Sequence, residues 1–293
     1  MGSNLVGVLS DMAELVLGFG TSHSPTIMAP PEMWTELAAR DAVDPRIPFA
    51  ELKAQRESWI RPELTPEKFR EKHEANLRGV SALADALAEA APDVIVLVGD
   101  DQHEVLWEDN YPPIAIYWGE DIPVVAARDS KYVGQSAVAG IAALSYHPEE
   151  ASSYKGHPAL GRHLVESLTA QEFDVGHIRR LSTEHGAKGI GHAWNFVWKN
   201  VMTQRQVPMV PLLLNTCYPP NRPTVKRCYD LGRALRRAIA AWDSDLRVAI
   251  GASGGLTHQV VEEDLDRTLI DAFQRRDVAA LTAIPERRFD MEG

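Results

Sequence analysis

The sequence predicts a single α/β domain with a central, mostly parallel or mixed sheet flanked by helices. Three observations carry this expectation. Short apolar runs closing in glycine and polar loops recur along the chain, as in LVLGFGTSHSP, VIVLVGDDQHE, VPMVPLLLN and LRVAIGASGG. Amphipathic helical segments lie between them. Nothing repeats at a fixed period, and no low-complexity linker divides the 293 residues, so 1–293 reads as one unit.

Each element follows from local chemistry. Residues 1–11 read as an extension, because Met12 offers a second start. AELVLGFGTSHSP (13–25) is a strand running into a loop, and residues 30–62 are Pro-punctuated short helices and loops. The clearest helix lies within 65–93. Thr65 caps it, Pro66 suits its first turn, Glu67 and Glu71 favour its positive end, and Phe69, Leu77, Val80, Leu83 and Leu87 form its apolar stripe. Pro92 stops it before VIVLVG, a strand apolar enough to be buried on both faces. IAIYWG and IPVVAA (114–127) are further strands, 156–173 and 224–242 are helices, and VPMVPLLLN and LRVAIGAS complete the sheet. AWNFVW (193–198) reads as core packing, with a subunit interface as the alternative.

Composition sets the outer bounds. With 45% apolar and 24% charged residues the chain can bury a sizeable core. A net charge of −11 argues against nucleic acid or an anionic membrane as the main partner, since both demand clustered cations. Cys217 and Cys228 match neither a disulfide framework nor a zinc spacing and read as the thiols of a cytoplasmic protein. No apolar run reaches the roughly 18 residues of a membrane helix, and the N-terminus lacks the basic start of a signal peptide.

The polar loops carry the chemistry. Three apolar runs end within a few residues of a histidine: His23 in GTSHSP, His103 in GDDQHE and His258 in GGLTHQ. STEHGAKGIGHAW adds His185 and His192 among three glycines. Strand ends of one sheet lie side by side, so these loops can converge, and two imidazoles with one carboxylate form a site for a divalent transition metal. Each histidine alone has a plainer reading: a turn hydrogen bond for His23, a surface position for His103, a phosphate nest for GASGG before His258. His73, His147, His163 and His177 lack the strand-end setting and read as structural or surface residues. Together the histidines favour a metal-dependent enzyme over a metal-free hydrolase or a binding protein.

In combination, GTSHSP, the strand into GDDQH, EHG followed by GHAW, VPLLLNTCYPPNRP and GASGGLTHQ resemble the class III extradiol dioxygenases. The likeness is to the protocatechuate 4,5-dioxygenase β-subunit type, LigB, with single-chain 3-O-methylgallate dioxygenases the nearest in pattern, and it spans roughly residues 13–293. The resemblance implies Fe(II) held by two histidines and a glutamate, a catechol- or gallate-type aromatic acid of lignin breakdown as substrate, and insertion of both atoms of O2. It implies His23 and His103 as metal ligands and His258 and His185 as catalytic histidines. His192 and Asp101 follow as substrate-side residues and a dimer as the assembly; by its place two residues before His103, Asp101 reads equally as a partner for a ligand imidazole or as a loop-capping carboxylate. Imidazoles suit this chemistry, because neutral His ligates Fe(II) and an ordinary histidine exchanges protons near neutral pH. In the family the glutamate ligand lies near the C-terminus with a Trp a few residues on. This chain ends RRFDMEG, so that ligand is expected beyond residue 293, with Glu292 as its substitute. Two rivals stand beside this reading: a zinc hydrolase using the same histidines, and a non-catalytic relative that has lost the metal.

Overall fold

A computed structural model describes residues 12–45, 47–130, 137–182, 188–257 and 260–289. Strand β1 (Glu14–Thr21) leads into the short helices α1 (Pro25–Met28), α2 (Trp34–Asp41) and α3 (Phe49–Ile60). The long helix α4 (Pro66–Ala90) follows, then β2 (Val94–Asp100), β3 (Ile114–Tyr117) and β4 (Asp121–Val124). Next come α5 (Ala137–Tyr146), β5 (Ser152–Lys155), α6 (Pro158–Ala170), β6 (Gly176–Ile178) and α7 (His192–Phe196). The chain closes with β7 (Met209–Leu214), α8 (Val225–Ala240), β8 (Arg247–Ser253), α9 (Glu263–Arg275) and α10 (Val278–Thr282).

The helix ends obey the expected rules. The Thr65 side chain accepts the Lys68 N–H at the start of α4, and Ala91 ends that helix in a left-handed conformation, φ 43°. Thr224 caps α8 in the same way through the Arg227 N–H.

Six strands form one mixed sheet in the order β1-β8-β2-β7-β3-β6. β1, β8, β2 and β7 run parallel, whereas β3 pairs antiparallel with β7 and parallel with β6. IPVVAA does not join this sheet: β4 pairs antiparallel with β5 in a separate two-stranded ribbon. Strand alternation sorts the core into two layers. Ile95 and Leu97 of β2 face a cluster with Val80 and Leu87 of α4, Trp194 and Phe196. Val94 and Val96 face the opposite cluster, which holds Leu160, Leu164 and Leu168 of α6 and Leu231, Leu235 and Ile239 of α8.

AWNFVW is core. Trp194, Phe196 and Val197 are fully buried, Trp198 is half-buried, and the helix loosens into a π-turn over Val197–Val201. Among the described residues no helix is long and apolar enough to cross a membrane.

Parallel pairing decides where the site lies. The register sets Thr21 against Ser253, Gly99 against Ser253, and Asp100 against Leu214. Four carboxyl-terminal strand ends therefore line up at one edge, the position where open α/β sheets collect ligands.

Candidate metal centre

Two residues beyond β1, His23 lies buried with its ring aimed at the end of β2. Its backbone carbonyl accepts the Tyr146 hydroxyl at 2.7 Å, and its Nδ1 lies 3.2 Å from Ser253 Oγ at the end of β8. Its Nε2 lies 3.2 Å from Nε2 of His192 and 3.7 Å from Oδ1 of Asp100. Gln102 Nε2 donates to the other Asp100 oxygen at 2.8 Å, leaving Oδ1 as the one turned to His23. One donor atom from each of His23, Asp100 and His192 lies within 4.8 Å of the other two, and all three residues are buried.

These donors fit a divalent transition metal. Two imidazoles and one carboxylate form the set such ions favour, and His23, His192 and Asp100 would hold one through the donor atoms gathered here. The fit rests on this donor set.

His192 reaches the site because of packing at the start of α7. The Trp194 indole N–H donates to the Leu97 carbonyl at 2.9 Å, and its ring lies against Gly99, where an added Cβ would meet Cε2 and Cζ2 at 3.1 Å. That glycine lets α7 sit flush on β2 and sets its first residue over the strand ends.

The five polar residues after β2 take different directions. Asp101 turns back on its own loop and accepts the N–H groups of Glu104 (3.3 Å), Val105 (2.9 Å) and Leu106 (3.0 Å). Burial, reinforced by the Glu104 charge, pushes its carboxyl up to about 7. The Tyr111 hydroxyl caps the Asp101 carbonyl. Asp101 thus shapes the loop and bonds to no imidazole through its carboxylate among the described residues. Glu104 reaches His192, with Oε2 at 2.7 Å from Nδ1.

His103 is not brought to the cluster. Its backbone takes φ 54°, a left-handed conformation rare outside glycine, which reverses the chain after Gln102. The imidazole stacks between Tyr218, with centroids 3.9 Å apart, and Trp107, at 4.9 Å, with the Tyr111 ring edge-on. His23 and His192 therefore meet where the sequence suggested His23 and His103. His185, His258 and Glu292 lie outside the described residues. Lys188 is exposed, and Arg222 is half-buried.

Sequence reasoning missed Asp100 and Glu104. The signal was present in GDDQHE, where any of three acids can face a cluster, but only tertiary contacts select among them.

Comparison with known proteins identifies the family. Residues 60–291 match the family described as the catalytic LigB subunit of aromatic ring-opening dioxygenase. That span contains Asp100, Glu104 and His192, while His23 precedes it. A gallate dioxygenase of Pseudomonas putida is 40% identical over 117 residues, covering 39% of this chain and 32% of that protein. Two 2,3-dihydroxyphenylpropionate/2,3-dihydroxicinnamic acid 1,2-dioxygenases are also similar. The one from Comamonas testosteroni is 28% identical, covering 62% of this chain and 48% of its own. The one from Rhodococcus jostii is 26% identical, covering 59% and 45%. The chain thus spans between about a third and a half of the length of these curated relatives. The family match covers most of the chain, and the chain belongs to the LigB family of aromatic ring-opening dioxygenase catalytic subunits.

Proposed function

We propose that this protein is an Fe(II)-dependent extradiol dioxygenase that opens a catechol- or gallate-type aromatic acid with O2. The observation that carries the reading is the buried His23–His192–Asp100 set at the carboxyl ends of β1 and β2. Family membership supports the reaction class, and the relatives named for gallate and for 2,3-dihydroxyphenylpropionate support an aromatic acid with adjacent hydroxyls.

Bound iron supplies a Lewis acid that acidifies a chelating hydroxyl and leaves positions open for substrate and O2. The chain's own residues prepare for this. His23 and His192 offer Nε2 atoms, and the Asp100 carboxylate offsets part of the cation's charge inside a buried pocket. Ser253 and Tyr146 hold His23 by its Nδ1 and its carbonyl, so its ring has little freedom to turn. Burial of the set keeps bulk water away from the metal face of both imidazoles. His258 and His185 are the proposed proton carriers, and β8 ends at Ser253, beside His23 and five residues before His258.

The test is oxygen uptake by Fe(II)-loaded protein offered 3-O-methylgallate, gallate, protocatechuate and catechol in turn. Stoichiometric uptake with loss of aromatic absorbance is expected for at least one, and His23→Ala and Asp100→Asn lower both iron content and rate by at least about 100-fold. Iron-replete protein that consumes no oxygen with any of them overturns the reading, and zinc retained with hydrolysis instead points to the hydrolase.

A further inference from the structure

Glu104 lies between two structures it could serve, its own loop and the imidazole of His192, and the distances assign it to the second. Its side chain is 8% exposed and that of His192 4%. Both carboxylate oxygens accept the His192 backbone N–H, at 3.1 and 3.2 Å, and Oε2 also lies 2.7 Å from Nδ1 of the ring. Both oxygens already accept a backbone N–H, so the carboxylate stands as an acceptor and Nδ1 carries the ring proton. A neutral imidazole has one N–H, which leaves the lone pair on Nε2, the atom 3.2 Å from His23 Nε2.

Glu104 therefore sits on the far side of the ring from Nε2, the atom that would ligate an ion. His23 differs: its Nδ1 faces a serine hydroxyl, which donates or accepts equally well and by itself selects no tautomer. The seat for Glu104 is also built. A Cβ on Gly191 would lie 2.3 Å from Oε2, so the residue before His192 must be glycine for the carboxylate to fit. Asp101 fixes the backbone from Glu104 to Leu106 and delivers the side chain to this seat.

We propose that Glu104 is a positioning residue that locks His192 in the Nδ1–H tautomer and in one ring orientation, with Gly191 making room for it. The Nε2 lone pair is thereby aimed at the space shared with His23 and Asp100 before any cation arrives. The role in metal binding rests on the reading of this cluster as a metal centre, whereas the tautomer does not.

Two measurements separate these. Nitrogen-15 spectra of histidine-labelled, metal-free protein report each ring's protonated nitrogen, with His192→Gln identifying the His192 signals. Wild type is expected to show His192 protonated on Nδ1. Glu104→Ala shifts it toward the Nε2–H form, and Glu104→Gln, which keeps an acceptor oxygen, restores Nδ1–H. Cobalt(II) titration followed by its visible absorption then reads affinity, expected to fall about 10–100-fold in Glu104→Ala and in Gly191→Ala and to recover in part in Glu104→Gln. Glu104→Met, similar in shape without a carboxylate, serves if the alanine variant does not fold. His192 remaining Nδ1–H in Glu104→Ala or Glu104→Met overturns the proposal, as does unchanged cobalt affinity there. A tautomer shift in protein whose wild type binds no cobalt supports the positioning role and overturns the metal reading.

Discussion

Gly99→Ala tests whether the contact between β2 and α7 sets the candidate metal centre. The new methyl would lie 2.8 Å from Ala193 Cβ and 3.1 Å from two atoms of the Trp194 ring, where carbon atoms normally rest ~3.5–4.0 Å apart. Neither neighbour can step aside. Ala193 has no rotamer, and the fully buried Trp194 is pinned by its bond to the Leu97 carbonyl. The strain is relieved by lifting α7 off the sheet, and overpacking of this kind costs about 1–3 kcal/mol. For a chain of this size that lowers the melting temperature by roughly 2–6 °C. The lift also carries His192 away from His23, whose Nε2 atoms are 3.2 Å apart in the native packing. Thermal unfolding and cobalt titration of the variant are expected to show both losses, with Ala193→Gly recovering part of each by removing the nearest atom. A Gly99→Ala protein as stable as wild type, with equal cobalt affinity, refutes the argument that this contact places His192.

Two further outcomes follow from buried titratable groups. Burial holds His147 below the usual histidine range. The unfolded chain takes up a proton there below pH ~6.5 that the folded chain refuses, so stability falls as pH drops, by up to ~1.4 kcal/mol per unit. His147→Gln flattens the urea-midpoint profile between about pH 7 and 5, and an unchanged slope shows that the ring is not held neutral. Burial also pushes the Cys228 thiol up to about 11. At pH 8 its thiolate is about one part in a thousand, so iodoacetamide labels it on the order of 100-fold more slowly than a free cysteine, and labelling at the free rate contradicts the packing around α8.

The sequence by itself determined the elements and the end of the sheet at which to look. Apolar runs of strand length, the Thr65 cap and the amphipathic stretches of α4, α6 and α8 are local signals, and the structure repeats them closely. The place of His23 was legible for the same reason: a residue two places past a strand stays near that strand's end. Direction along a loop is not local in this way. Asp100, Asp101, His103 and Glu104 are all plausible donors in GDDQHE, and their fates are a carboxylate turned to His23, a loop brace, an aromatic stack and a partner for His192. Those fates follow from a left-handed φ at His103, from Tyr218 of a loop more than a hundred residues away, and from a pairing 88 residues apart between Glu104 and His192. Only the tertiary structure decides such outcomes, because each is a competition between distant side chains for the same few ångströms.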